Sequence, residues 1–316
     1  MQKNLNPFGP LLLLIIAIPF CFFAHQISTA TAAPYIIILG IAQDAGAPQA
    51  GCEKICCRDR WDNPKLQQRV SCLAIVDPVS SERWMIDATP DFKAQLRVLD
   101  ELAPMPNLSG IFLTHGHIGH YTGLLHLGRE AIGARAVPVL VMPRMEKFLS
   151  SNAPWEQLVR LQNIALRPLQ NDSTMVLNHR IQVTPFLVPH RDEYTETAGF
   201  RITGPNKSVL FIPDIDKWEK WERRLEDMLA SVDVAYVDGT FYADGEIPGR
   251  NMREIPHPFI VETMQRFASL SRIEKNKIRF IHLNHTNPAL RRNSDARQAI
   301  QKAGFHVATE KERIGL

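Results

Sequence analysis

The chain has 316 residues, with 36 basic and 33 acidic side chains and a net charge of +3. No long block carries one sign, so nucleic acid or a strongly charged macromolecule is not an expected partner. The length permits one large core and does not demand two domains.

The N-terminus reads as a targeting segment. Met1-Gln2-Lys3 is followed by an apolar run over 11–24 that contains Pro19, and then by the small residues Thr29-Ala30-Thr31-Ala32-Ala33. A positive start, a short apolar core and an Ala-x-Ala-like site make a secretory signal peptide. The expectation is a signal over 1–33, cleaved near Ala32 or Ala33, and a domain over 34–316. The mature protein is then secreted or periplasmic, without a stable membrane partner. An uncleaved anchor is the alternative, although a spanning helix needs about 20 apolar residues and this core is shorter. Cys21 falls in the discarded part.

Apolar and β-branched runs stopped by turn residues mark the strands. The first covers 35–40. Residues 72–77 and 83–87 form a hairpin around Pro78-Val79-Ser80-Ser81. A helix follows over 92–102, with Thr89 or Asp91 as its cap. Strand 110–113 leads into Thr114-His115-Gly116-His117-Ile118-Gly119-His120, then a helix over 120–132. Further strands are expected at 137–142, 181–188, 199–203, 208–212, 232–237 and 278–283, and helices at 144–151, 217–230, 259–271 and 294–303. Mixed charge over 216–224, with Trp218 and Trp221, predicts a solvated helix face anchored by tryptophan. Strands and helices alternate twice over, which fits an α/β fold: an αββα sandwich of two mixed sheets with outer helices. No repeat of 20–50 residues is visible.

Three histidines within six residues, directly after a strand, point to a metal site. The glycines between them let His115, His117 and His120 converge, and imidazole suits zinc, iron or manganese. A chance cluster of surface histidines is the plain alternative. Polar ligands recur where other strands stop: His190 after 181–188, Asp214 after 208–212 and His282 within 278–283. Ligands at strand ends share one rim of a sheet, so distant residues can meet there. Asp87 and Asp238, at other strand ends, are candidates to support the ligands. In the polar exit Pro189-His190-Arg191-Asp192-Glu193-Tyr194, Arg191 can clamp an anion, and Asp192 or Glu193 can orient a liganding histidine. An ordinary exposed loop is the competing reading. Cys52, Cys56 and Cys57 crowd into six residues; adjacent cysteines such as Cys56 and Cys57 rarely bond each other. Disulfides elsewhere and a thiolate metal site both stay open. Cys72 reads as a small core residue. His126 and His179 receive no role.

Together, Thr-His-x-His-x-x-His, a later histidine, a strand-end aspartate and a final histidine resemble the metallo-β-lactamase fold over essentially the whole chain after residue 33. Leu39-Gly40-Ile41-Ala42-Gln43-Asp44-Ala45-Gly46-Ala47-Pro48-Gln49, Ile86-Asp87-Ala88-Thr89-Pro90-Asp91 and Asn284-His285-Thr286-Asn287-Pro288 resemble the coenzyme PQQ biosynthesis protein B family. That branch includes phosphodiesterases of phosphonate metabolism. The resemblance implies that His115, His117 and His190 hold one metal, that His120 and His282 face a second, and that Asp214 bridges them. It implies a structural zinc at Cys52, Cys56, Cys57 and His285, with a disulfide as the alternative. It also implies that His257 is a general acid, against a packing or capping role. One residue departs from the pattern. The fold usually has Asp where this chain has Gly119, so the second metal site is expected to be weak or empty.

The expected function is a metal-dependent hydrolase. Metal-activated water attacks a phosphodiester or carboxylic ester of a small, anionic substrate, with Asp214 and His257 at the catalytic centre. One alternative is a PQQ-related role, through iron-dependent oxygenation or handling of the cofactor or its precursor. Another is a non-catalytic metal-binding protein of the same fold.

Overall fold

The computed structural model describes residues 32–316, and the expected signal segment lies outside them apart from Ala32 and Ala33. Tyr35-Ile36-Ile37-Ile38-Leu39-Gly40 begins the fold as a strand buried along its whole length. Such a run is the mark of a strand covered on both faces. Ile36 and Ile38 point into the core between two sheets, while Ile37 and Leu39 point at a helical layer.

The first sheet contains β1 (Tyr35–Gly40), β2 (Cys72–Asp77), β3 (Glu82–Ile86), β4 (Gly110–Phe112), β5 (Val137–Val141) and β6 (Ile164–Pro168). The second contains β7 (Met175–Val176), β8 (Gln182–Val188), β9 (Thr197–Thr203), β10 (Ser208–Ile212), β11 (Val234–Asp238), β12 (Ile278–Ile281) and β13 (His306–Val307). The last strand, β14 (Arg313–Gly315), returns to pair with β1. The spatial orders are β14-β1-β2-β3-β4-β5-β6 and β13-β12-β11-β10-β9-β8-β7.

Each sheet repeats one plan. β1, β2 and β3 run antiparallel, then β4, β5 and β6 add in parallel. Likewise β8, β9 and β10 run antiparallel, then β11, β12 and β13 add in parallel. The duplication lies in topology and leaves no periodic sequence. It also sends β1, β3 and β4 in one direction within their sheet, and β8, β10, β11 and β12 in one direction within theirs. Their C-terminal ends form the rim on which the site is built, as in other open α/β sheets.

Helices cover the outer faces. They are α1 (Ile55–Trp61), α2 (Phe92–Leu102), α3 (Ile118–Tyr121), α4 (Pro143–Ser151), α5 (Trp155–Arg160), α6 (Leu225–Leu229), α7 (Ile260–Arg266), α8 (Arg272–Lys275) and α9 (Asp295–Ala303). Phe92, Leu99, Leu124, Met145, Leu149 and Leu158 pack on the outer face of the first sheet. The αββα sandwich expected from the sequence is the fold observed, and residues 32–316 make one compact unit. Among the described residues no helix is long and apolar enough to cross a membrane.

Several local expectations change. The helix expected over 120–132 is α3 followed by a 3₁₀ segment, Thr122–Leu127. Gly123 donates its N–H to Ala88 O and packs against Thr89 O, which tightens the turn. The helix expected over 217–230 is a 3₁₀ turn at Trp218–Lys220 and the short α6. Trp218 and Trp221 both enter the core, and each indole N–H finds a partner, the buried Thr263 Oγ1 for Trp218 and Leu187 O for Trp221. Of the two proposed caps of α2, Asp91 is the N-cap residue, but its side chain makes no capping hydrogen bond. Asp91 accepts from Val70 N, and Thr89 Oγ1 accepts from Asp91 N.

The two sheets touch through Phe112 and Phe200, fully buried rings 5.5 Å apart in an edge-to-face arrangement. Phe200→Ala is expected to cost about 3–5 kcal/mol through lost burial and a residual cavity. A urea-unfolding midpoint checks this; a loss below about 1 kcal/mol would show that this contact does not couple the sheets.

Candidate metal centre

β4 ends at Phe112, and Thr114 opens the loop that carries the three histidines. Asp87, just past β3, holds that loop from beneath. Its carboxylate accepts from Thr114 N at 2.8 Å, from Thr114 Oγ1 at 3.0 Å and faces His120 Nδ1 at 2.7 Å. Asp87 has φ of 71°, a left-handed conformation that a non-glycine residue adopts at some cost. Gly116 donates to Thr195 Oγ1 at 2.8 Å, and a Cβ there would press on the Thr195 methyl. The loop is therefore locked between the two halves of the molecule.

The other side chains arrive from the second sheet. His190 follows β8, Asp214 follows β10, Asp238 ends β11, and His282 follows β12 with φ of 65°. One atom organises the group. Asp214 Oδ2 lies 3.2 Å from His190 Nε2, 3.4 Å from His115 Nε2, 3.9 Å from His120 Nε2 and 4.0 Å from His282 Nε2. His117 Nδ1 faces His115 Nε2 at 2.8 Å. His115, His117, His190 and Asp214 thus offer four donor atoms within 4.8 Å of one another. All the histidines and the aspartate expected at the centre come together.

The far nitrogen of each ring is occupied, which aims the near one. His120 Nδ1 meets Asp87, His190 Nδ1 meets Asp216 Oδ1 at 3.2 Å, and His282 Nδ1 meets Thr240 Oγ1 at 3.0 Å. This is the usual outer support of a metal-binding imidazole. Asp87 takes the supporting role suggested by its strand-end position. Glu193 takes the orienting role suggested for it, on His117, whose Nε2 it meets at 3.0 Å; for His190 the supporting carboxylate is Asp216, and Asp192 accepts from Thr197 Oγ1 instead. Arg191 is exposed, 3.9 Å from Glu193.

His257 joins from the loop before α7. Its Nδ1 lies 2.8 Å from Asp238 Oδ2 and 3.2 Å from Asp214 Oδ1. Asp238 is itself fixed by N–H donors from Ile215 and Thr240.

Sequence reading missed Asp44. This residue follows β1, and its Oδ1 lies 3.2 Å from His120 Nε2 and 3.6 Å from His282 Nε2. Two signals were present: its place after a strand, the feature that marked Asp214, and its position inside the stretch from Leu39 to Gln49 that carries the family resemblance.

Electrostatics and bonding suit a cation. Nε2 of His120, His190 and His282, together with Oδ1 of Asp214 and of Asp44, are buried without any hydrogen-bond partner. Buried orphan groups are costly, and a metal ion satisfies this set of nitrogen and carboxylate donors. Burial works against the charged forms of His115, His117, His120, His190 and His257. At His120 the charges of Asp87 and Asp44 outweigh it and push the imidazole up to about 10; at His190, Asp214 and Asp216 push it up to about 9. At His115 burial wins, joined by repulsion from His120, and the ring is held well below its ordinary value. Burial also opposes the Asp214 anion, but the surrounding imidazoles keep its carboxyl well below the usual range. An ion bound at this centre replaces the protons of His120 and His190.

A second cluster lies close by in sequence. Cys52, Cys56, Cys57 and His285 present donor atoms within 4.8 Å of one another. Cys52 and Cys56 sulfurs are 3.6 Å apart, and none of Cys52, Cys56, Cys57 and Cys72 forms a disulfide. Burial pushes the Cys57 thiol up to about 12, and His285 Nδ1 is buried without a partner. Three sulfurs and one imidazole match a familiar structural-zinc composition. Cys72 is buried in the core, as expected.

Residues 82–283 match the family described as Beta-lactamase superfamily domain, and the chain belongs to that family. Within it, the chain is similar to coenzyme PQQ synthesis protein B of Xanthomonas euvesicatoria pv. vesicatoria, 29% identical over 311 residues that cover 89% of this chain and 99% of that protein. The protein of the same name from Methylobacterium nodulans is 29% identical over 300 residues, covering 86% and 96%. Zinc-bound PqqB from Methylobacterium extorquens matches with a TM-score of 0.73 at 22% identity, over 89% of this chain and all of that one. A diphosphatase of the PhnP family matches at 0.61 and 18% identity, over 90% and 97%. The structural matches share the fold, and the donor set supports a metal cofactor.

If the cysteine cluster holds zinc, a thiol reagent added to chelator-treated protein reacts with Cys52, Cys56 and Cys57, while zinc suppresses all three reactions. Buried Cys72 stays silent in both states. Reactivity that ignores zinc would remove the cluster from the metal-binding set.

Proposed function

We propose that the chain is a metal-dependent hydrolase acting on a small anionic ester, either a phosphodiester or a carboxylic ester. The observation that carries this reading is the ring of four Nε2 atoms within 4.0 Å of one Asp214 oxygen. His115, His117, His190 and Asp214 are the residues to hold one ion, and His120 and His282 face the place of a second. Zinc is the favoured ion, with iron or manganese as alternatives; a structural zinc belongs to Cys52, Cys56, Cys57 and His285. A divalent ion held at the histidine centre acidifies water and polarises the scissile oxygen.

The protein's own groups supply the rest. Asp87, Asp216 and Thr240 fix the ring orientations. Asp238 binds Nδ1 of His257, so the proton available to a leaving group is the one on Nε2. Burial opposes a charged His257, but Asp238 and Asp214 outweigh it and raise the imidazole well above its ordinary value, which keeps that proton in place. The exposed guanidinium of Arg191 is suited to an anionic substrate group. Export through the signal over residues 1–33, into the periplasm or the medium, belongs to the same proposal.

Near-full-length similarity to proteins named coenzyme PQQ synthesis protein B favours a second reading. In it the chain oxygenates, binds or carries that cofactor or its precursor.

Zinc-loaded protein is expected to hydrolyse at least one member of a phosphodiester and carboxylic ester panel, to lose the activity to a chelator and to regain it with metal. His257→Gln is expected to lower kcat by about 10²–10⁴-fold on substrates with poor leaving groups. The loss should be far smaller with a nitrophenolate leaving group, at unchanged ion content. A metal-replete protein that cleaves no ester but consumes oxygen with a quinone precursor would overturn the hydrolase in favour of the second reading.

A further inference from the structure

The motif carboxylate missing at Gly119 has a replacement from elsewhere in the chain. A Cβ added at Gly119 would lie 2.2 Å from Asp44 Oδ1 and 2.5 Å from Asp44 Cα. Real Cβ atoms do not approach backbone that closely, so a side chain at 119 and the present course of the loop after β1 exclude each other. The glycine is the space into which Asp44 fits.

Asp44 is held there by its neighbours. Gln43 donates its backbone N–H to Leu283 O at 2.9 Å, and Gly46 closes the turn onto Gln43 O at 2.7 Å. The Gln43 side chain accepts from Asn284 Nδ2. These bonds tie the loop to the segment that carries His282. The Asp44 oxygen then points at two imidazoles whose Nδ1 atoms are already engaged by Asp87 and Thr240. All three facing atoms, Asp44 Oδ1, His120 Nε2 and His282 Nε2, are buried without hydrogen-bond partners. His120 and His282 are completely buried.

We propose that Asp44 is the terminal carboxylate ligand of a second divalent ion, bound with His120 and His282 on the far side of Asp214 from the first. The ligand has moved from the histidine loop to the loop after β1, and Gly119 is the mark of that exchange. Two imidazoles, a shared carboxylate and a private carboxylate suit a first-row divalent cation. The inference rests on reading Asp214 as the group between two ions. It replaces the expectation that loss of the motif aspartate leaves the second site weak or empty.

The test counts ions. Full-length protein is stripped, equilibrated with excess Zn²⁺ or Co²⁺, freed of unbound metal and assayed for metal per chain; the Co²⁺ visible spectrum reports the ligand field. Asp44→Ala and Asp44→Asn are each expected to lose one ion per chain relative to wild type and to change the Co²⁺ bands. The asparagine variant keeps the side-chain shape, and circular dichroism confirms its fold. In the double variant Asp44→Gly, Gly119→Asp, the carboxylate returns to the histidine loop and the missing ion is expected back. If Asp44→Asn, folded, holds as many ions as wild type with the same Co²⁺ spectrum, the assignment is wrong. Ion counting needs no substrate. A chain that counts as expected but cleaves no ester therefore refutes the hydrolase and leaves Asp44 in place; an active enzyme with an unchanged count in Asp44→Asn does the reverse.

Discussion

The structure turns on one buried carboxylate. Asp214 is 3% exposed, and an anion so far from water is costly unless opposite charge surrounds it. Here that role falls to imidazoles from four chain segments, and each imidazole needs its own partner on the opposite nitrogen. The need propagates outward to Asp87, Asp216, Asp238 and Thr240, and through them to the ends of β3, β10 and β11. The strained backbones of Asp87 and His282 are part of the same arrangement; such conformations persist where surrounding contacts over-determine them.

The two sheets share the work unevenly. The first contributes the loop of His115, His117 and His120 together with Asp44. The second contributes His190, Asp214, His257 and His282. Neither half holds a complete donor set, so the docking that buries Phe112 against Phe200 also assembles the centre. Repeated strand topology makes this natural: each half brings its rim of C-terminal strand ends to the same cleft.

Much of this was legible in the sequence because strand ends carry local signals. An apolar run followed by His or Asp located His115, His190, Asp214 and His282, and alternating strands and helices gave the sandwich. Short strands such as β7 and β13 have too few residues to show a period. The segment 217–230 looked helical because its charges are spaced like a helix face, yet tertiary burial of Trp218 and Trp221 broke it. Asp192 lies two residues from His190 and Asp216 lies 26 away, so sequence proximity favoured the wrong carboxylate; the turn after β10 brings Asp216 to the ring. Asp44 was hidden for a deeper reason. Its placement depends on the absence of a side chain at Gly119, far along the chain, and no local window contains both residues.

The pairing of the chain's two ends sets a timetable. Gln43 and Asn284, hydrogen-bonded to each other, are 241 residues apart in sequence, and the same two segments carry Asp44 with His282 and Cys52, Cys56 and Cys57 with His285. A growing chain therefore displays its thiols and its histidine loop long before the partners that complete either cluster exist. The cysteine cluster is complete only after synthesis has passed residue 285, and the group of Asp44, His120 and His282 only after residue 282, whereas His115, His117, His190 and Asp214 are all present by residue 214. Until residue 285 is made, the three cysteines lack the imidazole that completes their donor set.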